Sequence, residues 1–219
     1  MQDNYTFHEP PVCDAPLLII HADADILVVH KPAGLLSVPG RIMKDCVLRR
    51  AAVDYPQVRV VHRLDLDTSG LMVLGLSQLA VSDLNRQFRE RLISKEYVAE
   101  VYGIVAQAQG EIDLPIAPDP LHRPRQKIDH MAGKAALTRY AVIHQHQHSA
   151  RLRLMPLTGR SHQLRLHLAA IGHPILGCDL YAHEQAFSAA PRLMLHAQSL
   201  GFSHPQTGQQ VTYSVPPEF

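Results

Sequence analysis

Apolar and polar positions along this chain fall into short runs, and most of those runs have the compact length or two-residue alternation of strands. Residues 17–21 and 26–30 flank the polar stretch Ala22-Asp23-Ala24-Asp25, which predicts a strand–turn–strand pair. The run from Lys31 to Gly40, punctuated by Pro32, Gly34 and Pro39, reads as an ordered loop. Residues 42–53 are a short helix candidate, 58–61 a short apolar run, and 71–76 a buried strand. Ser77 is suited to cap a helix through about Arg91, with Leu79, Leu84 and Phe88 in its apolar stripe. Residues 95–102 alternate as a strand that sets Tyr97, Ala99 and Val101 on one face. Further strands are expected at 140–143, 151–155, 193–202 and 211–213. Gly159-Arg160-Ser161 opens a helix on which Leu164, Leu168 and Ile171 share a face, stopped by Gly172 and Pro174.

Strands outnumber helices and often follow one another directly, so the expected fold class is α+β on a mixed, largely antiparallel sheet. No linker divides the chain, and one catalytic domain over residues 17–219 is expected behind a flexible, proline-rich tail at 1–16. At 219 residues the chain is long enough for one sizeable core. Its longest apolar runs are too short to cross a bilayer. The start of the chain lacks a basic-then-apolar leader pattern, and Cys13, Cys46 and Cys178 make neither a disulfide framework nor a metal spacing. A reducing cytoplasm is the expected setting. No long exposed apolar stripe asks for a partner, so a monomer is expected.

Net charge is only +1, but it is unevenly spread. Residues 1–30 hold five acids and no Lys or Arg, which leaves +6 on residues 31–219. Basic clusters occur at Arg86, Arg89, Arg91 and Lys95, at Arg123, Arg125 and Lys127, and at Arg151, Arg153, Arg160 and Arg165. They suit phosphates if one face gathers them, and are equally in keeping with solvated helix and loop surfaces.

The densest chemistry lies in His62-Arg63-Leu64-Asp65-Leu66-Asp67-Thr68-Ser69-Gly70, which runs straight into the apolar 71–76 segment. A polar loop feeding a buried strand is a rigid support for reactive groups. Asp65 and Asp67, two residues apart, point the same way if extended, and either carboxylate can be nucleophile, base, ligand or turn brace. Spacing alone does not separate them. Thr158-Gly159-Arg160-Ser161-His162-Gln163-Leu164-Arg165 puts donors at a helix start, where an anion can be received, or else marks a helix with a basic outer face. The alternating His144, His146 and His148 have no neighbouring acid or Cys to complete a metal shell.

Together these segments resemble the RluA family of pseudouridine synthases, on Lys31-Pro32-Ala33-Gly34-Leu35, the 62–70 motif, Lys95-Glu96-Tyr97, the 158–165 motif and Leu195-His196-Ala197, all in family order. The resemblance implies isomerisation of uridine to pseudouridine in RNA, with no cofactor and no metal. It assigns Asp65 as the catalyst and leaves Asp67 a structural role. It places Tyr97 against the uracil, where it helps remove the C5 proton, and pairs Arg165 with the catalytic carboxylate. Arg63 becomes the side chain that fills the space of a flipped base. Arg86, Arg89, Arg91, Arg123, Arg125, Lys127 and Arg160 become the expected RNA contacts. Because Lys31-Pro32 comes so early, no S4 domain is expected, and the chain resembles the compact subgroup that modifies a 23S rRNA stem-loop and a tRNA anticodon stem-loop. Two rivals stand against this reading. Asp67-Thr68-Ser69-Gly70 resembles an aspartic peptidase motif, though with an inserted residue. A non-catalytic RNA-binding module is the other.

Overall fold

Strands dominate the computed structural model, which describes residues 12–219. In chain order they are β1 (Leu18–Ala22), β2 (Ile26–Lys31), α1 (Val47–Ala51), β3 (Arg59–Val60), β4 (Ser69–Gly75), α2 (Gln78–Glu90) and β5 (Ser94–Tyr102). There follow β6 (Gln109–Asp113), β7 (Ile116–Pro118), β8 (Gln126–Ile128), β9 (Leu137–Gln145), β10 (Ser149–Pro156), α3 (Gln163–Ala170), α4 (Glu184–Ser188), β11 (Leu195–Ser203) and β12 (Gln210–Ser214). The chain forms two compact units, one from residues 12–98 and 195–219, the other from residues 99–194. The chain passes between them inside β5 and just before β11, so no Gly- or Pro-rich linker marks either crossing.

In the first unit the strand order is β1-β2-β4-β11, with β3 added to β4 and β12 to β11. The predicted strand–turn–strand pair is β1 and β2, antiparallel, with Asp23 Oδ1 accepting the N–H groups of Asp25 and Ile26 in the turn. The β4–β11 pair is parallel and the β2–β4 pair antiparallel, so the sheet is mixed, as expected. Every residue of β2 and β4 is buried because alternate side chains enter two different cores. Leu27, Val29, Met72 and Leu74 pack with Leu35, Val47 and Leu64 on one face. Ile26, Val28, Leu71 and Val73 pack with Ala80, Leu84 and Phe202 on the other. Each such side chain contributes roughly 1.5–3 kcal/mol of burial.

Ser77 caps α2 as expected, its hydroxyl accepting the Ala80 N–H at 3.1 Å. The expected stripe is corrected at one position: Leu79 is 49% exposed, and α2 buries Ala80, Leu84 and Gln87 instead. The expected 42–53 helix contracts to the single turn of α1. Lys44 Nζ donates to the carbonyls of Gly40 and Arg41, which holds that segment as a loop, and the Cys46 sulfur caps the helix late. Of the expected tail, residues 1–11 lie outside the described residues. The carbonyls of Cys13 and Ala15 receive the guanidinium of Arg50, itself paired with Asp45 at 2.5 Å.

In the second unit β10, β9 and β6 pair in that order beside the end of β5, and β7 and β8 form a separate hairpin. The short β6, β7 and β8 were not expected from the sequence pattern. α3 starts at Gln163 rather than at Gly159, because the Gln163 side chain accepts the Arg160 N–H at 3.0 Å and closes a turn first. His162 ends that turn with φ of 55°.

Two residues of the 62–70 motif serve the fold directly. Gly70 has φ of 116°, and a Cβ there lands on the backbone of Ala197 in β11. His62 stacks on Phe88 of α2, ring centroids 4.5 Å apart, and its Nε2 accepts the Val73 N–H at 3.0 Å. Burial, with the charge of Lys95 adding to it, pushes the His62 pKa down to about 3, so the ring stays neutral and can accept.

Gly70→Ala is expected to destabilise by more than about 3 kcal/mol, through backbone collision together with strain, read as a shift in urea midpoint; a shift below about 1 kcal/mol contradicts the β4–β11 approach. The unfolded chain takes up the His62 proton near the ordinary value of 6.5, whereas the folded one resists until about 3. Stability from this group is therefore present above pH 6.5 and lost as pH falls toward 3. His62→Gln, which can accept from Val73 without titrating, is expected to flatten that dependence. Parallel urea-midpoint curves for variant and parent between pH 4 and 7 would show that His62 is not the buried neutral acceptor.

Candidate active site

The loop that carries Asp65 is fixed by backbone contacts before any reactive group is considered. Lys31, the last residue of β2, is 0% exposed. Its ammonium donates to the carbonyls of Leu35 and Leu66, both at 2.7 Å, and of Pro32 at 2.9 Å. Three acceptors use all three N–H bonds of the charged form. Burial pushes the Lys31 pKa down to about 7, opposed by the charges of Asp67 and Asp65. Gly34, at φ of 80°, adds its N–H to the Leu66 carbonyl at 3.0 Å. Ser37 donates to the Leu64 carbonyl at 2.7 Å and accepts the Leu64 N–H at 3.0 Å.

Asp65 thus sits between two residues whose backbones are held. Its own carbonyl accepts the Thr68 N–H at 3.3 Å, closing a turn over residues 65–68. Ser69 and Gly70 already belong to β4. Ser69 is tied to β11 through His196, which is fully buried. His196 Nε2 lies 2.9 Å from the Val215 carbonyl and must donate to it, so Nδ1 is the acceptor for the Ser69 hydroxyl at 2.9 Å.

Tyr97 of β5 is packed against the Leu27–Met72 core and lies in the field of Asp65. Burial, then that carboxylate, holds its phenol well above its ordinary pKa. Tyr97 is therefore a neutral O–H donor near neutral pH, not a phenolate. Arg63, next to Asp65, is exposed.

The 158–165 motif belongs to the second unit. Gln163 is buried and donates to the Leu137 carbonyl and the Thr138 hydroxyl, at 3.1 and 3.0 Å, while its oxygen accepts from the Thr158 hydroxyl at 2.7 Å. Thr138 in turn meets buried His167, whose other nitrogen donates to the Leu114 carbonyl at 2.9 Å. The motif's donors are thus largely used in seating α3 on β9, not left for an anion. Arg165 is 4% exposed, pairs with Asp179, and lies 3.4 Å from the Cys178 sulfur. Asp179 and Tyr181 carried no signal in the sequence reading; a Tyr three residues after a buried Cys has no diagnostic spacing.

The expected RNA contacts differ in availability. Arg89, Arg91, Arg123 and Arg125 are exposed. Arg86 is closed between Asp83 at 2.6 Å and Glu90 at 2.9 Å. Lys127 pairs with Asp129 at 3.1 Å, and Arg160 donates to the Ala135 carbonyl at 3.1 Å. In the histidine tract, the His144 and His146 rings meet edge to face and His146 lies 3.8 Å from Glu100, which pairs with Arg151 at 2.6 Å. Among the described residues no group of three His, Cys, Asp or Glu side chains is arranged to hold a metal ion, and no helix is long and apolar enough to cross a membrane.

Residues 25–170 match the family described as RNA pseudouridylate synthase. The dual-specificity RNA pseudouridine synthase RluA of Salmonella typhi is 50% identical over 206 residues, covering 93% of this chain and 94% of that protein. The protein of the same name in Escherichia coli strain K12 is 49% identical over the same coverage. Among solved structures, human RNA pseudouridylate synthase domain containing 1 aligns with a TM-score of 0.79 and 27% identity, over 95% of this chain and 86% of that one. With residues 25–170 matching that family and about half of its residues shared with these synthases over 93% of its length, the chain belongs to the RluA family of RNA pseudouridine synthases.

Proposed function

We propose that this isomerase acts on stem-loop uridines in both 23S rRNA and a tRNA anticodon stem-loop, with Asp65 as the catalytic group. The observation that carries this reading is the seat of Asp65: a carboxylate on a loop riveted at Leu64 and Leu66, sharing its field with a half-buried, neutral Tyr97. The dual-specificity name of the two bacterial relatives, each matched along 94% of its length, supports the pair of substrates. The setting is the cytoplasm and the working form a monomer.

Pseudouridine formation breaks the bond from N1 to C1′, turns the base, and joins C5 to C1′, after which the C5 proton leaves. A carboxylate beside C1′ can attack the sugar or take a proton from it, and a rigid loop supplies the positioning that either route needs. A phenol held neutral can take the C5 proton only while handing on its own, so Tyr97 acts by contact with the uracil and by relay. Arg165, buried in the second unit and paired with Asp179, stays a proposed site residue on the family resemblance. Asp67, whose charge faces buried Lys31, serves the loop instead.

A uridine inside a stacked stem-loop must be extruded before any of this can happen, at a cost of a few kcal/mol. Exposed Arg63, beside Asp65, fills the vacated space, since a guanidinium stacks on bases and reaches phosphates. Arg89, Arg91, Arg123 and Arg125 meet the RNA backbone, with Lys127 and Arg160 beside them; Arg86, closed by two carboxylates, contributes least.

Release of tritium from 5-labelled uridine in tRNA and 23S rRNA transcripts tests the reading. The parent protein is expected to release label from both, and Asp65→Asn to lose release by at least about a thousandfold while still binding RNA. Full release by Asp65→Asn would overturn the assignment of the catalyst, and release from only one of the two RNAs would overturn the dual specificity.

A further inference from the structure

Tyr181 stands where three elements of the second unit meet, and the proposed reaction makes no use of it. Its ring packs with Ile128 of β8 and Leu166 of α3 around Ile116 and Ala136. Its hydroxyl oxygen accepts the Gln126 N–H, at the start of β8, at 2.8 Å. The same oxygen lies 2.8 Å from Nδ1 of His162, the residue that leads into α3. The hydroxyl thus bridges the start of β8 and the residue that leads into α3. The guanidinium of Arg165 lies over the ring, 5.6 Å from its centroid, within the range of a cation–π contact.

The β7–β8 hairpin that Tyr181 grips has a braced tip. Asp119 accepts the Leu121 N–H at 3.1 Å and meets His122 at 2.8 Å, while backbone bonds join Asp119 to Arg125 and Arg125 to His122. Arg123 and Arg125 project from that tip into solvent. The root of this arm is bonded through one hydroxyl to the residue that leads into α3, which holds the tip relative to that helix.

We propose that Tyr181 is a positioning residue that sets the basic hairpin Ile116–Ile128 in register with α3, so that Arg123 and Arg125 are presented to RNA in one fixed position. This rests on the reading of those two arginines as RNA contacts. Removing the hydroxyl frees the root of the arm but keeps the ring under Arg165, so affinity for RNA suffers while chemistry on bound RNA proceeds.

The test measures kcat and KM on a tRNA anticodon stem-loop for the whole protein, Tyr181→Phe, the double variant Arg123→Ala/Arg125→Ala, and the triple combination. Tyr181→Phe, which removes both hydrogen bonds of the hydroxyl, is expected to raise KM about five- to tenfold, with kcat within about twofold of the parent. The double variant is expected to raise KM, and the triple to raise it no further, because the hydroxyl acts through the hairpin. A wild-type KM for Tyr181→Phe, or a triple variant in which the two effects multiply, overturns the coupling and leaves the hairpin reading in place. A wild-type KM for the double variant overturns the hairpin reading and the coupling with it. A Tyr181→Phe protein whose kcat falls in step with a lowered melting temperature has lost only stability, which also overturns the proposal.

Discussion

A lysine ammonium with no exposure to water must find its charge partners inside the protein, and where it finds them decides where Asp65 stands. Lys31 reaches the carbonyls of Pro32 and Leu35 on the loop after β2 and the carbonyl of Leu66 on the motif loop. Taking an ammonium out of water costs several kcal/mol, and the three carbonyls and the fields of Asp67 and Asp65 offset it only in this one arrangement. The Leu66 carbonyl also accepts from Gly34, and Leu64 is bonded at both its N–H and its carbonyl to Ser37. Asp65 lies between these two pinned residues and has almost no backbone freedom left. Its backbone position is set by the fold before RNA arrives, which is the preorganisation that the proposed action at C1′ needs.

The second unit seats its own cation by related means. α3 is buried nearly all round, so apolar contact alone would let it slide or rotate on β9. Gln163, Thr138, Thr158 and His167 form a chain of buried hydrogen bonds that admits one register. A fully satisfied polar network of this kind specifies position more sharply than an apolar contact of equal area. Arg165, two residues after Gln163, inherits that register, and Tyr181 extends it to a hairpin with a basic tip. In both units a buried polar group does the aiming, and the aliphatic core, free of Trp, supplies bulk stability.

Much of this was legible in the amino-acid pattern where local rules agree with the tertiary outcome. The β1–β2 pair, the buried β4 and the Ser77 cap follow from alternation, apolar run length and a hydroxyl at the right place. The pattern misled where a single side chain overrode it. Gln163 closes a turn that delays α3, Lys44 holds a loop that shortens α1, and Leu79 turns outward while Gln87, polar and unremarkable in sequence, is buried with hydrogen bonds to Asp83 and Ser203. β6, β7 and β8 are too short to announce themselves. At the site, Asp65, Tyr97 and Arg165 were reached through the family resemblance and not from spacing. The burial of Lys31, the Ser69–His196 tie and the part played by Tyr181 were invisible, because a lysine, a histidine or a tyrosine reads the same in sequence whether it is solvated or enclosed.

The central claim, that a buried ammonium aims the catalytic carboxylate, is tested most directly by the single-turnover rate of pseudouridine formation on saturating stem-loop RNA with Lys31→Met, a side chain of similar length without charge or donors. If the loop is held as described, the rate on bound RNA falls on the order of a hundredfold, the scale expected when a reacting group is displaced by about an ångström, while RNA affinity is retained. A folded Lys31→Met protein that converts bound RNA at the parent rate would contradict the account.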